Sequence, residues 1–594
     1  MSDKWNLAGL FNSDDDPKIN SRKDEVKKAI DKFSKKWKLR EDYLSDPKIL
    51  REALDDFEYL NRSTGVEGGI VFYFSLRLSQ EQDNPVIKAK YGQALEFARK
   101  MENEIRFFNL KIGKIPLDAQ NKMLSDKQLE KYKHYLERCF AQAKYVLSEK
   151  EENILSLKAD VSYTNWVDMV QQFLSSEERE VMGEDGKMTI KNFSEIDDLL
   201  KSNDKKIRDS AASAFNDILE KNINVAEHEL NSVLKNKKID DELRGLPRPD
   251  ASRHIDDDLD SSVVDTLADS VASRFGSVKK FYALKAKLLK VKHFTYPERN
   301  VLYIARSSEK KYPYPEALKL VRKVFLSLDK EFADILDKFI KDRRIDAFPR
   351  KGKRDGAFCS DDLVTLPTYV LLNHLDSLRD VTVIAHEMGH AVNSELMKKQ
   401  HSLNFGTLLS TAEVASTFME DFVIQEVERE ADDEMRLEII MRRLQDDVST
   451  IFRQIACYKF EQEIHEEFRK KGYLSKEEIG KIFFRHMDSY LGENAFGCEN
   501  WWVYWRHIRT YFYNYSYASG LLISKSLQNE VKKDPKFVNK VKEFLSAGTS
   551  ASPREIFLKM GIDISKKDFW FRGLDEFDKN LEAAEKLAKN LGKL

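Results

Sequence analysis

Apolar side chains recur every three to four positions along most of this chain, separated by charged residues. Between residues 23 and 111 the pattern includes Val26, Ile30, Phe33 and Trp37. An α-helix has about 3.6 residues per turn, so this spacing gathers the apolar side chains on one face and the charges on the other. The pattern predicts a series of amphipathic helices that form a scaffold.

Several helix starts are marked by a serine followed three residues later by Glu or Gln, the capping-box pattern that satisfies free backbone N–H groups. The pattern occurs at Ser125 with Gln128, Ser148 with Glu151, Ser475 with Glu478 and Ser552 with Glu555. Pro553, at the first helical position, strengthens the last of these. Apolar spacing further predicts one long helix over residues 205–234 and another from Pro313 to about Asp342.

Two short stretches have the character of β-structure. Residues 181–182 and 188–190 flank Gly-Glu-Asp-Gly at 183–186, which predicts a hairpin or, alternatively, only a loop. Residues 366–373 are short and apolar and begin beside a proline, which predicts a strand. This strand is either an exposed edge that could pair with an extended peptide or a buried strand.

The composition agrees with a helical protein. Charged residues make up 34% of the 594 positions, whereas only 23 are glycine and 13 are proline. Such a chain favours long solvated helices over sheets, so we expect a mostly α fold. A chain of this length can form several domains or one large continuous helical core.

Charge and cysteine content argue against several function classes. Lys and Arg number 99 against 101 Asp and Glu, interspersed along the chain, so nothing indicates a nucleic-acid or membrane partner. The four cysteines form no CxxC pair, and neither a disulfide framework nor a thiolate zinc site is indicated. The most apolar stretch, residues 68–76, is too short to cross a bilayer. We expect a soluble cytoplasmic protein, and the sequence does not indicate its oligomeric state.

Residues 386–390 spell His-Glu-Met-Gly-His, an H-E-x-x-H motif within a predicted helix over about residues 380–398. Residues four apart lie on one helix face, so His386 and His390 can bind one metal ion while Glu387 points into the same site. A catalytic zinc takes three protein ligands and leaves a fourth position for water. The motif therefore predicts a zinc site that needs one more ligand.

The third ligand is predicted from helix geometry. Glu395 lies about 140° around the helix from the second histidine, so it is not expected to bind the metal. Asn393 and Leu396 occupy the positions where an astacin-like extension would need glycine and histidine. The next predicted helix carries Glu413 and Glu420, seven residues apart and hence on one face. We assign Glu413 as the third ligand and Glu420 as the acceptor of a ligand histidine's outer N–H; the alternative is two solvent-facing glutamates.

The segment 501–520, WWVYWRHIRTYFYNYSYASG, is far more aromatic than the chain average of 11%. A helix core is one explanation for such a stretch. The polar-tipped His507, Tyr511, Tyr513, Tyr515 and Tyr517 favour another, because an apolar core does not need them and a phenol or an imidazole N–H beside zinc can stabilise a developing oxyanion.

Residues 349–360 form a glycine-rich and basic stretch that includes Lys353 and Arg354. The Walker spacing is absent. An ordinary or substrate-facing loop is therefore favoured over a nucleotide-binding site.

The combination of His386-Glu-Met-Gly-His390 with Glu413-Val-Ala-Ser resembles the zinc core of the oligoendopeptidase F branch of the thimet oligopeptidase family. The resemblance extends over nearly the whole chain. Further similar segments are Trp5-Asn-Leu, Leu147-Ser-Glu-Lys-Glu-Glu152, Gly352-Lys-Arg-Asp-Gly-Ala-Phe-Cys359, Arg453-Gln454, Phe460-Glu461 and the aromatic segment.

The resemblance implies a fold and a division of the chain. It implies a large two-lobed helical ellipsoid with a deep central channel that admits short unstructured peptides and excludes folded proteins. A small β element would lie next to the H-E-x-x-H helix. Residues 1–200 would form an N-terminal helical region, with a core at about 112–185, and residues 201–594 would form the zinc metallopeptidase catalytic region.

The resemblance also implies roles for the aromatic segment. The family uses a histidine and tyrosines of its matching segment to hold the oxyanion. This implies that role for His507 and Tyr517, with Tyr513 and Tyr511 as further contributors.

Together these observations predict a zinc metalloendopeptidase, with one Zn²⁺ per chain, that hydrolyses internal bonds of short oligopeptides. Glu387 is the expected general base, which later delivers its proton to the leaving amine. One alternative is a zinc exopeptidase of carboxypeptidase or dipeptidase type, in which Arg506 or Arg509 could capture a peptide terminus. The other is an inactive peptide-binding scaffold.

Overall fold

Helices dominate the computed structural model of this chain, which describes residues 4–305 and 310–594. The first twelve are α1 (Lys18–Trp37), α2 (Pro47–Ser63), α3 (Ile70–Gln80), α4 (Pro85–Gly113), α5 (Leu117–Ser125), α6 (Lys133–Ala143), α7 (Glu149–Ala159), α8 (Asn165–Ser175), α9 (Phe193–Leu199), α10 (Lys205–Arg244), α11 (Ala251–Asp256) and α12 (Ser261–Ala272). They are followed by α13 (Phe275–Leu288), α14 (Tyr314–Leu328), α15 (Lys330–Lys341), α16 (Leu378–Met397), α17 (Leu409–Glu430), α18 (Asp433–Asp447), α19 (Arg453–Lys471), α20 (Lys476–Leu491), α21 (Tyr515–Lys533), α22 (Val538–Ala547), α23 (Pro553–Lys559) and α24 (Lys567–Asn590). The predicted mostly α fold is confirmed.

Two compact units share the chain. Unit 1 comprises Met1–Lys144, Lys310–Val427 and Leu527–Ile562, and unit 2 comprises Tyr145–Glu309, Glu428–Ser526 and Asp563–Leu594. Each unit is therefore built from three separate stretches of sequence. The predicted boundary at residue 200 stays a prediction. Within the described residues, no helix is long and apolar enough to cross a membrane.

The amphipathic scaffold is confirmed in α1. Val26, Ile30, Phe33 and Trp37 are all buried and belong to one core cluster, which also receives side chains from α2, α4 and α6. The exposed face of the helix carries the charges, as its period requires.

Three of the four predicted capping boxes form, at Ser148, Ser475 and Ser552. The one predicted at Ser125 is wrong. Ser125 is the last residue of α5, and its hydroxyl donates to the Asn121 carbonyl at 2.7 Å. Asp126 starts the following 3₁₀ turn instead by accepting the Gln128 N–H at 2.8 Å, because a carboxylate can serve as an N-cap as well as a serine can.

The two long helices predicted from apolar spacing have different outcomes. α10 contains the whole predicted range and continues to Arg244. The helix predicted from Pro313 to Asp342 is instead two helices, α14 and α15. Asp329 adopts an extended conformation between them, and its side chain accepts the Glu331 N–H at 2.7 Å.

The predicted hairpin forms from β1 (Glu178–Met182) and β2 (Met188–Asn192), which pair antiparallel. The second predicted strand is β5 (Tyr369–Leu371), which lies between β3 (Ile345–Asp346) and β4 (Phe358–Ser360). β5 is fully buried and paired on both sides, so the edge-strand alternative is wrong. Both β4 and β5 contact α16, which places the small sheet beside the H-E-x-x-H helix as expected.

Lys353, in the middle of the glycine-rich loop, has a structural role. The Lys353 ammonium is buried and donates to the carbonyls of Phe348 and Leu372, and it pairs with the Asp346 carboxylate at 2.9 Å. These contacts join the loop to β3 and to the residue that directly follows β5. They support the ordinary-loop interpretation, because the lysine has no donor left for a phosphate.

Candidate metal centre and aromatic cluster

The H-E-x-x-H motif lies in the middle of α16. Ser377 and Asp380 form a capping box that begins the helix. His386 and His390 project from one face as predicted, with ring centroids 5.1 Å apart. Glu387 is buried between these two positions.

Gly389 allows α17 to pack directly against this helix. A Cβ atom at position 389 would lie 2.7 Å from the carbonyl oxygen of Ala415 and 2.7 Å from the Cα of Ser416. Only glycine permits so close an approach of two helix backbones. The contact brings Glu413, at the start of α17, to the two histidines.

The three predicted ligands come together. The Glu413 Oε2 atom lies 3.3 Å from His386 Nε2 and 3.6 Å from His390 Nε2. Zinc bonds of about 2.0–2.1 Å at a tetrahedral centre separate neighbouring donor atoms by about 3.4 Å, so the arrangement fits this metal. Among the residues that the structure describes, these three side chains form the one group of His, Cys, Asp or Glu able to hold a metal.

Two further side chains position the ligands. Glu420 accepts the outer N–H of His386, with Nδ1 and Oε2 2.9 Å apart, as predicted. With a metal bound, this contact would keep the proton on Nδ1 and leave the Nε2 lone pair for the metal. Ser416, which the sequence did not single out, donates its hydroxyl to Glu413 Oε2 at 2.9 Å. Its position three residues after Glu413 was the available signal.

The pKa values of Glu387 and Glu413 are shifted in opposite directions. Burial raises the pKa of Glu387 above its usual range, against the opposing charge of His386 and His390. Burial would also raise the pKa of Glu413, but its hydrogen bonds to His386 and His390 outweigh that effect and lower it strongly. Glu413 is therefore an anionic ligand, whereas Glu387 is a carboxylate able to hold a proton. Glu395 pairs with Arg344 and Lys398 and is not part of this group.

A second group, the aromatic cluster of His507, Tyr513 and Tyr517, lies within unit 2. His507 contacts the rings of Tyr513 and Tyr517 at centroid distances of 5.3 and 5.9 Å, and the two phenol oxygens are 3.2 Å apart. Trp505 donates its indole N–H to His507 Nδ1 at 2.7 Å. Burial, aided by the nearby charge of Arg453, lowers the pKa of His507 to about 4. The imidazole is therefore neutral near pH 7 and carries its proton on Nε2 as a donor.

Tyr511 does not join this aromatic cluster. Its hydroxyl donates to the Val233 carbonyl at 3.2 Å, and its ring packs on Tyr163. The helix-core explanation of the segment is also incomplete, because α21 begins only at Tyr515.

A buried glutamate fixes the turn before α21. Tyr511 and Phe512 both have positive φ, 51° and 63°, a conformation that costs energy for residues with side chains. Glu461 accepts the Phe512 N–H at 3.0 Å and a hydrogen bond from the Asn514 amide. These bonds hold the strained turn that precedes Tyr513 and leads into α21, the helix that carries Tyr517.

The two arginines considered for capturing a peptide terminus differ. Arg509 is buried and pairs with Glu229 at 2.7 Å, and it also donates to the carbonyls of Trp502 and Trp505. It is only 1% exposed, so a substrate cannot reach it. Arg506 is exposed.

The predicted residues thus assemble as two groups. The ligands, Glu387 and Glu420 lie within unit 1, whereas His507, Tyr513 and Tyr517 lie within unit 2.

Comparison with known proteins agrees with these features. A model described as peptidase family M3 matches residues 198–576, and one described as oligopeptidase F matches residues 111–177. Oligopeptidase PepF of Bacillus subtilis is 25% identical over 98% of this chain and 87% of its own length. A crystal structure from Chlamydophila abortus has a TM-score of 0.84 at 21% identity, covering 98% of both chains. The structure of oligoendopeptidase-F from Enterococcus faecium has a TM-score of 0.71 at 20% identity, covering 96% of this chain and 99% of its own.

Proposed function

The chain belongs to peptidase family M3, and from that premise we propose that it is a zinc-dependent endopeptidase acting on internal bonds of short unstructured peptides. Family membership makes it a peptidase, a hydrolase of peptide bonds. The observation that carries the finer proposal is the convergence of His386, His390 and Glu413 at distances suited to zinc.

Two neutral imidazole nitrogens and one carboxylate are the donor set that a catalytic zinc takes, with a position left for water. One zinc per chain would be held by His386, His390 and Glu413. When bound, zinc would polarise the scissile carbonyl and lower the pKa of water at the site towards about 7. Glu420 and Ser416 keep the histidine and the carboxylate oriented for this role.

Glu387 is the proposed general base. It takes a proton from the attacking water and delivers it to the leaving amine. Its burial supports this role, because a carboxylate with a raised pKa holds the proton between the two transfers.

His507 and Tyr517 are proposed to hold the negative charge that develops on the scissile carbonyl oxygen, with Tyr513 as a further contributor. The support is chemical. His507 is a neutral donor through Nε2, and Tyr513 and Tyr517 share one hydrogen bond, which leaves one phenol O–H of the pair free to donate elsewhere.

The test uses a peptide blocked at both ends, with and without a zinc chelator, and identification of products by mass spectrometry. We expect the wild-type protein to cut an internal bond and the chelator to abolish cleavage. Glu387→Gln should bind zinc normally but lower turnover by roughly 100-fold to 10,000-fold. Glu395→Gln, on the same helix but paired with Arg344, is the matched control and should retain turnover.

Two results would overturn the proposal. Turnover by Glu387→Gln at the wild-type rate would refute the general base. Cleavage that requires a free terminus and leaves the blocked peptide intact would favour the exopeptidase alternative.

A further inference from the structure

Arg453, the first residue of α19, is a half-buried cation without a conventional partner. Within residues 4–305 and 310–594, no carboxylate pairs with it and no atom accepts a hydrogen bond from it. Its Nε atom is sealed from solvent and unpaired. The two terminal Nη atoms of its guanidinium group therefore remain available to bind a ligand.

Other buried arginines of unit 2 have hydrogen-bond acceptors. Arg208 pairs with Glu298 at 3.3 Å and Arg509 with Glu229 at 2.7 Å, whereas Arg299 has no carboxylate partner among the described residues but donates to the Tyr296 carbonyl at 2.9 Å. A half-buried guanidinium group without any acceptor is unfavourable, so a ligand that supplies one would stabilise Arg453.

Its surroundings connect Arg453 to the aromatic cluster. The guanidinium lies over the Trp505 ring, 5.6 Å from the centroid, and the Trp505 indole donates to His507 at 2.7 Å. The charge of Arg453 also contributes to lowering the pKa of His507. Arg453 thus adjoins the group proposed to hold the scissile carbonyl, on a surface built of neutral aromatic rings.

We propose that Arg453 binds the C-terminal carboxylate of the peptide substrate, an inference that rests on the proposed function. The planar fork of arginine matches a carboxylate through two parallel hydrogen bonds. Among the groups of a peptide substrate, the terminal carboxylate is the anion that every sequence offers, whereas acidic side chains occur only in some.

The first arm of the test measures binding to zinc-free full-length protein, so that it does not depend on catalysis. The probes are one fluorescent peptide made as the free acid, as the C-terminal amide, and as the amide with aspartate as its last residue. We expect the acid to bind wild type about 10-fold to 100-fold more tightly than the plain amide. Arg453→Met should weaken the acid to the level of the amide and leave the amide unchanged.

Three further variants serve as comparisons in the binding measurement. Arg453→Lys keeps the positive charge but lacks the planar guanidinium group, so it should show only part of the wild-type preference for the acid. Arg436→Met removes an arginine paired with Asp433 on α18 and should keep the full preference. Arg506→Met tests the exposed neighbour and should also keep it.

The second arm measures hydrolysis of the acid and the plain amide by zinc-loaded protein. We expect Arg453→Met to raise KM for the acid by about the same factor as it weakens binding, so that the ratio of kcat/KM for the acid to kcat/KM for the amide falls to about one. If wild type hydrolyses neither peptide, the proposed function fails while the binding arm still tests Arg453.

Several outcomes would overturn the assignment. They are equal affinity of wild type for acid and amide, equal weakening of both probes by Arg453→Met, and loss of the preference in Arg506→Met. Tight binding of the aspartate amide would assign Arg453 to a side-chain carboxylate instead.

Discussion

The Glu420 carboxylate determines how a metal ligand is presented, although it is not itself a ligand. It accepts the His386 Nδ1–H at 2.9 Å and so fixes the tautomer and the ring orientation. Glu420→Gln should weaken zinc binding about 10-fold to 100-fold. Competition with a chromophoric chelator measures this. Glu428→Gln, two turns further along α17 and paired with Arg443, is the control that should bind zinc as wild type does.

Individual metal-site residues were predictable where a helix fixes the relation between them. The i, i+4 spacing of His386 and His390 and the two-turn spacing of Glu413 and Glu420 follow from helix periodicity, and the structure brings all four together. The contact of Trp505 with His507 and the unpaired state of Arg453 have no such period. They depend on loop conformation and rotamers, which one sequence does not determine.

Gly389 governs the separation of α16 and α17, the two helices that carry the ligands. The added methyl of Gly389→Ala would meet the Ala415 carbonyl and the Ser416 Cα at 2.7 Å, a clash that is relieved only if the two helices move apart. We expect a loss of about 1–3 kcal/mol in the free energy of unfolding and weaker zinc binding, because Glu413 moves away from the histidines. Urea unfolding and zinc competition measure the two effects.

Gly92→Ala is the matched control for this substitution. Gly92 lies inside α4 with nothing within 4 Å of an added Cβ. Alanine is the better helix former, so this variant should be more stable by about 0.5–1 kcal/mol. An equal gain in Gly389→Ala would contradict the proposed role of close helix packing.

The turn before α21 offers a prediction that a double variant checks. Glu461→Leu removes the acceptor of the Phe512 N–H and of the Asn514 amide and should cost about 1–3 kcal/mol of stability, with lower turnover as Tyr513 loses its position. Asn514→Leu removes only the second of these bonds. Because the two single variants share that bond, the double variant should lose less thermal stability than the sum of the single losses; additive losses would contradict the interaction.

Elements were predictable where periodicity dominates and were missed where one polar side chain decides. α1 and α10 follow from their apolar stripes. The break between α14 and α15 depends on Asp329, whose carboxylate caps the second helix, and the apolar period continues through it. β5 was recognisable as a strand, but its central place depends on pairing with β3 and β4, which come earlier in the chain.

The assembly of the whole chain could not be predicted from local pattern. Trp5 donates its indole N–H to the Val370 carbonyl at 2.7 Å across 365 positions of sequence. Each compact unit likewise draws on three distant stretches. Such contacts depend on the shape of complete surfaces, whereas periodicity describes only single elements.

Buried histidines predict how the folded chain responds to acid. Burial lowers the pKa of His254 and of His507 to about 4 and lowers that of His465 strongly, whereas an unfolded histidine has a pKa of about 6.5. Between these values the unfolded state binds more protons, so stability is present above pH 6.5 and is lost as the pH falls towards 4. His254→Gln should reduce the slope of the free energy of unfolding against pH, between pH 4 and 6.5, by up to about 1.4 kcal/mol per pH unit. Urea midpoints followed by far-ultraviolet circular dichroism measure it, with exposed His228→Gln as the control. Equal slopes in wild type and His254→Gln would show that His254 is protonated in the folded state as readily as in the unfolded chain.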